Sequence, residues 1–362
     1  MKILLFIDCL GSGGAQRQLV GLARFLKDKG YGVKLIYYHP LEFYKPFLDE
    51  YAIESECVKG AADKLKRFHK IYKSIKKYRP DIVISYLDSP NIIACVLKII
   101  GMKYKLIVSE RNTTQVLTIR ERIKFSLMRM ADVIVTNSYS QKTFIDLHYS
   151  YLSSIVQTIT NFVDTDVFSP RYALTEKGKK KDYSIICVGR VKVQKNVLLF
   201  LDALYCIKEK GYSFHVEWYG YKEEPYFSHC LSKLRTLKLS DVFTFKEPTI
   251  NIAQEYQKAD LFCLPSLYEG FPNVLCEAMS CGLPVICSNV CDNPMIVRDH
   301  DNGLLFEPRD IDDIVDKFIE FFNLSFDKQL LMGEKSRAYA IHDFSFHSFG
   351  EKYERTINVL GV

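Results

Sequence analysis

Short apolar runs alternate with stretches whose apolar positions recur every three or four residues along nearly all of the 362-residue chain, a pattern that predicts strands and helices in turn. In the first half strands are expected at Lys2–Ile7, Val33–Tyr37, Asp81–Tyr86, Lys105–Ser109, Asp132–Thr136 and Ile155–Thr160. The second half repeats the pattern at Tyr183–Val188, Phe214–Tyr219, Val242–Phe245, Leu261–Leu264, Pro284–Ser288 and Gly303–Phe306. Strands that alternate with helices argue for parallel sheets covered on both faces. Two Rossmann-like α/β domains are therefore expected, over 1–168 and 182–345, facing a central cleft. Between them Asp164–Asp182, with Pro170 and the run Lys177–Lys181, has the composition of a linker. A last helix within 346–362 carries Phe349, Tyr353, Ile357 and Leu360 at helical spacing.

Composition adds three constraints. An apolar content of 48% suffices for two cores. The longest candidate span, Ile92–Met102, is interrupted by Lys98 and falls short of the roughly 18 apolar residues a membrane crossing needs. Met1-Lys2 leads straight into a strand without the marks of a signal peptide, so a cytoplasmic location is expected. The eleven cysteines are odd in number and lie mostly in apolar patterns, which reads as reduced core residues. Cys287 and Cys291 are four apart but lack a second ligand pair, so no metal is expected there.

Charge is unevenly spread. Residues 1–180 hold 29 Lys/Arg against 17 Asp/Glu, a net +12, and the remainder is −6. Such an asymmetry speaks of partners and not of fold. Much of it sits in Lys59–Arg79, with nine Lys/Arg and one acid, where Leu65, Phe68, Ile71 or Tyr72, Ile75 and Tyr78 recur at helical spacing. The resulting helix either rests on anionic lipid or packs its apolar stripe on the first sheet and leaves a solvated basic face. An anionic membrane surface is an expected partner, a nucleic acid is not, and nothing in the pattern specifies an oligomeric state.

The chemistry-bearing residues fall at strand ends. Glu269 and Glu277 lie in Pro265–Met279, where Gly270 and Pro272 break the chain after a strand and Asn273 can cap a helix that Gly282 ends. A helix N-terminus behind a glycine-containing loop offers backbone N–H groups and a positive dipole end to a phosphate or to sugar hydroxyls. A loop acid plus a solvent-facing helix acid is the plainer reading. Arg190 and Lys195 follow another strand end at Gly189 and could neutralise a diphosphate, one as a planar fork and the other as a point charge. A solvated basic loop, with Lys192 nearby, is the alternative. Gly13-Gly14 opens the first helix, but Gln16 stands where a dinucleotide fingerprint needs glycine, and Tyr37-Tyr38-His39 lacks its ribose acid. That argues against a nicotinamide dehydrogenase.

Taken in order, Gly13-Gly14-Ala15-Gln16-Arg17, Gly189-Arg190 with Lys195-Asn196, and the acid pair of Pro265–Met279 resemble the large group 1 (family 4) type of retaining glycosyltransferases with the GT-B fold and the E-x7-E motif. The resemblance implies a nucleotide-diphosphate sugar as donor, a UDP-sugar ahead of a GDP-sugar, no other cofactor and no metal. It implies a hexosyl- or N-acetylhexosaminyltransferase acting on a lipid-linked or glycan acceptor, peripheral on the cytoplasmic membrane face. Arg190 and Lys195 would hold the diphosphate, Glu269 the donor sugar and Glu277 the ribose. Gly270, Phe271, Pro272, Asn273 and Val274 would line the donor with backbone groups, and Gly13 and Gly14 would touch sugar and acceptor. The last helix would cross back to the first domain. In this family retention has no settled protein nucleophile, so catalysis rests on leaving-group stabilisation and alignment. Three positions depart from the family: Glu110-Arg111-Asn112 replaces a common histidine and marks a candidate acceptor side, Tyr86 replaces another, and Gly220-Tyr221-Lys222 lacks a second glycine. These departures keep open a catalytically silent sugar-nucleotide-binding subunit and, less favoured, a sugar-nucleotide epimerase.

Overall fold

The computed structural model describes residues 1–58, 63–111, 116–170 and 182–361. The chain folds as two α/β units, one of Met1–Phe162 with Phe346–Val362, the other of Val163–Ser345. The run Lys177–Lys181 lies outside the described residues.

In the first unit the strands are β1 (Lys2–Phe6), β2 (Gly32–Tyr37), β3 (Glu54–Cys57), β4 (Ile82–Tyr86), β5 (Lys105–Glu110), β6 (Val133–Thr136) and β7 (Val156–Thr158). All pair in parallel in the order β3-β2-β1-β4-β5-β6-β7. Every residue of β4 is buried, which explains its unbroken apolar run: helices cover both faces. Successive side chains of β1 point to opposite layers. Ile3 and Leu5 join helices Gly14–Asp28 and Phe346–Val359, while Leu4 and Phe6 join helices Lys64–Tyr78, Asp88–Ile99 and Ile119–Met128. The C-terminal helix buries Phe349, Tyr353 and Ile357 here, so the chain's end belongs to its first unit.

One detail differs from the sequence pattern, and a second follows one of its two alternatives. The edge strand β3, Glu-Ser-Glu-Cys, has no apolar run; its charges are met by Lys34 of β2, whose Nζ lies 2.7 Å from Glu54 and 2.8 Å from Glu56. The basic helix Lys64–Tyr78, started by Asp63 accepting from Leu65 N–H and Lys66 N–H, buries Ile71 and Ile75 against the sheet. Phe68, Tyr72 and Tyr78 of its apolar stripe pack beside them partly buried, Leu65 at its start stays 81% exposed, and the lysines form an outer face.

The second unit holds β8 (Asp182–Val188), β9 (Ser213–Tyr219), β10 (Phe243–Lys246), β11 (Leu261–Leu264), β12 (Val285–Ser288) and β13 (Gly303–Phe306), parallel in the order β10-β9-β8-β11-β12-β13. In each sheet the winding reverses beside the first strand, between β1 and β4 and between β8 and β11. Doubly wound sheets bind ligands beyond the carboxyl ends of the strands at such reversals.

Candidate active site

The loops that leave β8 and β11, the two strands flanking the reversal in the second unit, carry most of the chemistry. After β8 the chain passes Gly189, whose φ of 155° and near contact with Lys195 leave no room for a side chain: a Cβ there would lie 2.9 Å from Lys195 Cε. The indole N–H of Trp218 donates to the Gly189 carbonyl at 2.8 Å, and a Cβ on Gly220 would stand 2.0 Å from that same oxygen. A short 3-10 turn, Val193–Lys195, then ends at Asn196, which holds a left-handed φ of 57° while its amide donates to the Pro308 carbonyl at 2.7 Å. These constraints aim Lys195 inward.

From β11 the chain runs through Ser266 to the loop of Tyr268, Glu269 and Gly270. Three bonds join it to the β8 loop. Leu267 N–H donates to the Gln194 carbonyl at 2.8 Å, the Gln194 amide donates to the Tyr268 carbonyl at 2.7 Å, and Lys195 Nζ donates to Glu269 Oε1 at 2.5 Å. Lys195 and Glu269 are 10% and 9% exposed at the side chain, so their ion pair is almost dry yet still open on one side. Both residues are expected at the site from sequence, but their pairing across 74 positions is not. Glu269 N–H also points to Cys291 Sγ at 3.5 Å, another contact that no motif signals. Arg190 differs: its side chain is 64% exposed, and its guanidinium lies 3.6 Å from the half-exposed Glu223. A weak surface pair of this kind leaves it available to an anion.

Helix Asn273–Ser280 follows. Its N-cap is Pro272, not Asn273, which corrects the capping role expected for Asn273. The Pro272 carbonyl accepts from Leu275 N–H at 3.0 Å, and Asn273 N–H turns back to the Phe271 carbonyl at 3.0 Å. Phe271 and Pro272 are buried, Phe271 packing edge-on against Phe344, while Gly270, Asn273 and Val274 are partly exposed. Glu277, one turn in, is 7% exposed. Beside it Tyr256 is fully buried, and its phenol is held far above its ordinary pKa by burial first and by the Glu277 charge second. At the far end, Arg337 Nη1 lies 2.6 Å from the Ser280 carbonyl and 2.8 Å from that of Phe168, tying the helix to the segment that enters the unit. Gly282, at a φ of 76°, ends the helix as expected.

In the first unit Gly13 is the N-cap of helix Gly14–Asp28, and a Cβ on Gly14 would meet nothing within 4 Å, so the protein itself does not demand a glycine there. Gln16 Nε2 reaches Asp8 Oδ1 and Cys9 Sγ, each at 3.4 Å. The candidate acceptor residues are otherwise employed. Glu110 has no exposed surface and pairs with Lys124 at 2.9 Å, which corrects its expected role facing an acceptor. Burial alone would depress the Lys124 pKa, but Glu110, Glu121 and Asp88 together raise it. Arg111 donates to Asn161 Oδ1 at 2.8 Å, to Tyr353 OH at 3.2 Å and to Tyr86 OH, with its guanidinium 4.2 Å from the Tyr86 ring centroid. Tyr86 OH also shares a hydrogen bond of 2.7 Å with Tyr353 OH. Arg111 and Tyr86 therefore fasten the C-terminal helix to the sheet. Asn112 lies outside the described residues.

Known proteins resemble this chain in sequence and in fold. A GalNAc-alpha-(1->4)-GalNAc-alpha-(1->3)-diNAcBac-PP-undecaprenol alpha-1,4-N-acetyl-D-galactosaminyltransferase of Campylobacter jejuni is 27% identical over 99% of this chain and 98% of its own. An Escherichia coli UDP-Gal:alpha-D-GlcNAc-diphosphoundecaprenol alpha-1,3-galactosyltransferase is 29% identical over 52% of this chain and 50% of its own. Among solved structures, HepE of Anabaena in complex with UDP superposes with a TM-score of 0.82 at 18% identity, covering 99% of this chain and 100% of that one, which speaks to fold. A Glycosyltransferase Family 4 model matches residues 12–167 and a Glycosyl transferases group 1 model matches residues 174–339. With one model on each of the two parallel α/β units, the chain belongs to the group 1 glycosyltransferases of GT-B fold.

Proposed function

We propose that this glycosyltransferase moves a hexose or N-acetylhexosamine, with retention, from a nucleotide-diphosphate sugar to a lipid-linked or polysaccharide acceptor at a membrane surface. The observation that carries the reading is the reversal between β8 and β11, where a nearly dry Lys195–Glu269 pair, the exposed Arg190 and the start of helix Asn273–Ser280 meet. Arg190 and Lys195 hold the diphosphate, and backbone groups of Gly270, Phe271, Pro272, Asn273 and Val274 line the donor beside them. Glu269 accepts from sugar hydroxyls on one oxygen while fixing Lys195 with the other, and Glu277 takes the ribose. Negative charge grows on the departing diphosphate as the glycosidic bond breaks, and preorganised cations stabilise it more in the transition state than in the bound donor. The acceptor hydroxyl attacks from the leaving-group side and passes its proton to a phosphate oxygen, so the chain needs no nucleophile of its own. Gly14, beside which a Cβ would meet nothing within 4 Å, leaves room for the acceptor.

The undecaprenol-diphosphate glycans named for the two bacterial relatives support a polyprenyl-diphosphate-linked acceptor, and the UDP-galactose in one of those names supports a UDP-sugar. The test is incubation of the purified chain with a panel of nucleotide sugars and an undecaprenyl-diphosphate-linked glycan, with the new linkage assigned by NMR. An α-linked product from an α-configured donor supports the reading. Donor binding without turnover would make the chain a silent binding subunit, and an altered free donor would make it an epimerase.

A further inference from the structure

Helix Ile119–Met128 has two apolar faces. Inward, Phe125 and Met128 are fully buried in the layer beneath β5, and Lys124 is locked to Glu110 at the end of β5. Outward, Ile119 is 78% exposed and Ile123, one turn on, 57% exposed; Val116 and Leu117, just ahead of the helix, are 67% and 43% exposed. The burial inside the unit already stabilises the helix, so the outer face is surplus to folding. Exposed Arg120, Arg122 and Arg129 are interleaved with these residues. Among the described residues none of the three arginines has a carboxylate partner within ion-pair distance, in contrast to Lys98, Lys105 and Lys124 of the same layer. Thr118 caps the helix by accepting from Glu121 N–H at 3.2 Å, and Glu121 is itself held by Lys124 at 2.6 Å. Ile119 and Ile123 are thus presented by the capped start of the helix at the carboxyl edge of the sheet, with Val116 and Leu117 just ahead of it.

Large apolar side chains standing together in water mark a binding surface. Here the surrounding charge is positive, within a half of the chain that carries a net +12. A protein partner with an apolar patch would gain nothing from three arginines without carboxylate partners unless it were acidic, whereas an anionic bilayer offers phosphates and acyl chains in that same order of depth. We propose that Val116, Leu117, Ile119 and Ile123 insert into the headgroup and acyl boundary of an anionic phospholipid bilayer while Arg120, Arg122 and Arg129 contact its phosphates. The basic helix Lys64–Tyr78 then adds mainly long-range attraction, because Ile71 and Ile75 of its own stripe are buried on the sheet and Leu65 is the one large apolar side chain it exposes. This inference deepens the membrane part of the proposed function and rests on it.

The test uses the full chain and vesicles of phosphatidylethanolamine with and without phosphatidylglycerol. Ile119→Asp with Ile123→Asp should lower partition onto the anionic vesicles by about tenfold or more, since two exposed apolar side chains lose their burial. Thermal melting should stay unchanged, as both residues face solvent. In an Ile123→Trp variant, brominated lipid should quench the new fluorescence, whereas the sole native tryptophan, Trp218, is 1% exposed within the second unit and serves as an internal control. If the unaltered chain ignores anionic vesicles, the membrane reading itself fails. If it binds them and the double aspartate variant binds equally, or the fluorescence introduced by Ile123→Trp is untouched by brominated lipid, the inserting face is wrong while the surface attraction stands. If light scattering shows a dimer that the double aspartate variant abolishes without change in vesicle binding, the face joins two copies and the inference is overturned.

Discussion

Lys195 and Arg190 look interchangeable in the sequence, two cations behind the same glycine, yet their surroundings set different consequences for removing them. Lys195→Ala strips the partner from a carboxylate that is 9% exposed. Breaking a buried pair on one side typically costs about 3 kcal/mol, because the remaining charge is stranded. Arg190→Ala touches a side chain that is 64% exposed, where changes stay within about 0.5 kcal/mol. Under the proposed mechanism both variants are expected to lose at least about tenfold in turnover, since each would remove positive charge from the leaving group. Urea titration should separate them: only Lys195→Ala should be less stable, and adding Glu269→Ala should restore stability without restoring activity. Equal stability of the two single variants would mean that the pair is not as dry as it stands. If the same cations and the helix N-terminus carry the leaving-group charge as proposed, a divalent metal is not needed for its departure. Turnover is therefore expected to survive a chelator, and recovery of lost activity by magnesium or manganese would refute that.

At the level of elements, what could be read from the chain is what a buried parallel sheet forces upon it. β1, β4, β8 and β11 are covered on both faces and so spell themselves out as apolar runs, and the loops beyond them inherit their positions from the strand ends. β3 could not be read this way, because an edge strand of alternating glutamates is stabilised by Lys34 across the ladder and not by burial. The destinations of Glu110 and Arg111 were equally hidden. Glu110 ends β5 and Arg111 follows it, but the partners that hold them, Lys124, Asn161 and Tyr353, lie 14 to 242 positions away. Local pattern carries no record of such pairs. A similar pairing between distant positions makes a pH prediction. Asp132, just before β6, accepts from Leu106 N–H of β5 at 2.8 Å and from Lys105 at 3.3 Å, with Lys98 also bound. Burial alone would raise its pKa, but Lys98, the Leu106 N–H and Lys105 outweigh that and hold it below the ordinary aspartate value. A depressed carboxyl contributes stability that is fully present above its unfolded pKa and is lost as pH falls through the folded one. Asp132→Asn should therefore be less stable at neutral pH, and the gap to the unaltered chain should narrow below about pH 4. A gap that stays constant down to about pH 2 would show that this carboxylate does not couple the two strands.

For the whole molecule the charge asymmetry is the feature that neither core nor site requires. The fold would stand without a net +12 in residues 1–180, and most of the proposed donor residues lie in the half that is −6. Helix Lys64–Tyr78 concentrates the excess: Lys70, Lys73, Lys76 and Lys77 are all exposed, and Ile71 and Ile75 are fully buried. A basic face whose apolar stripe is packed except at Leu65 acts mainly through its field. Each Lys near an anionic surface contributes about 1 kcal/mol, fading beyond a Debye length of roughly 8 Å at physiological salt. Changing these four lysines together to glutamate should therefore reduce co-sedimentation with phosphatidylglycerol vesicles at low salt, and the difference from the unaltered chain should shrink as salt is raised. Loss through the outer face of helix Ile119–Met128 should behave oppositely, because inserted apolar area is not screened. Rapid association at low salt with slow release at high salt would be the joint signature of the two surfaces. If the four-glutamate variant binds vesicles as well as the unaltered chain at low salt, the basic face is solvated surface alone, and the charge asymmetry needs another partner.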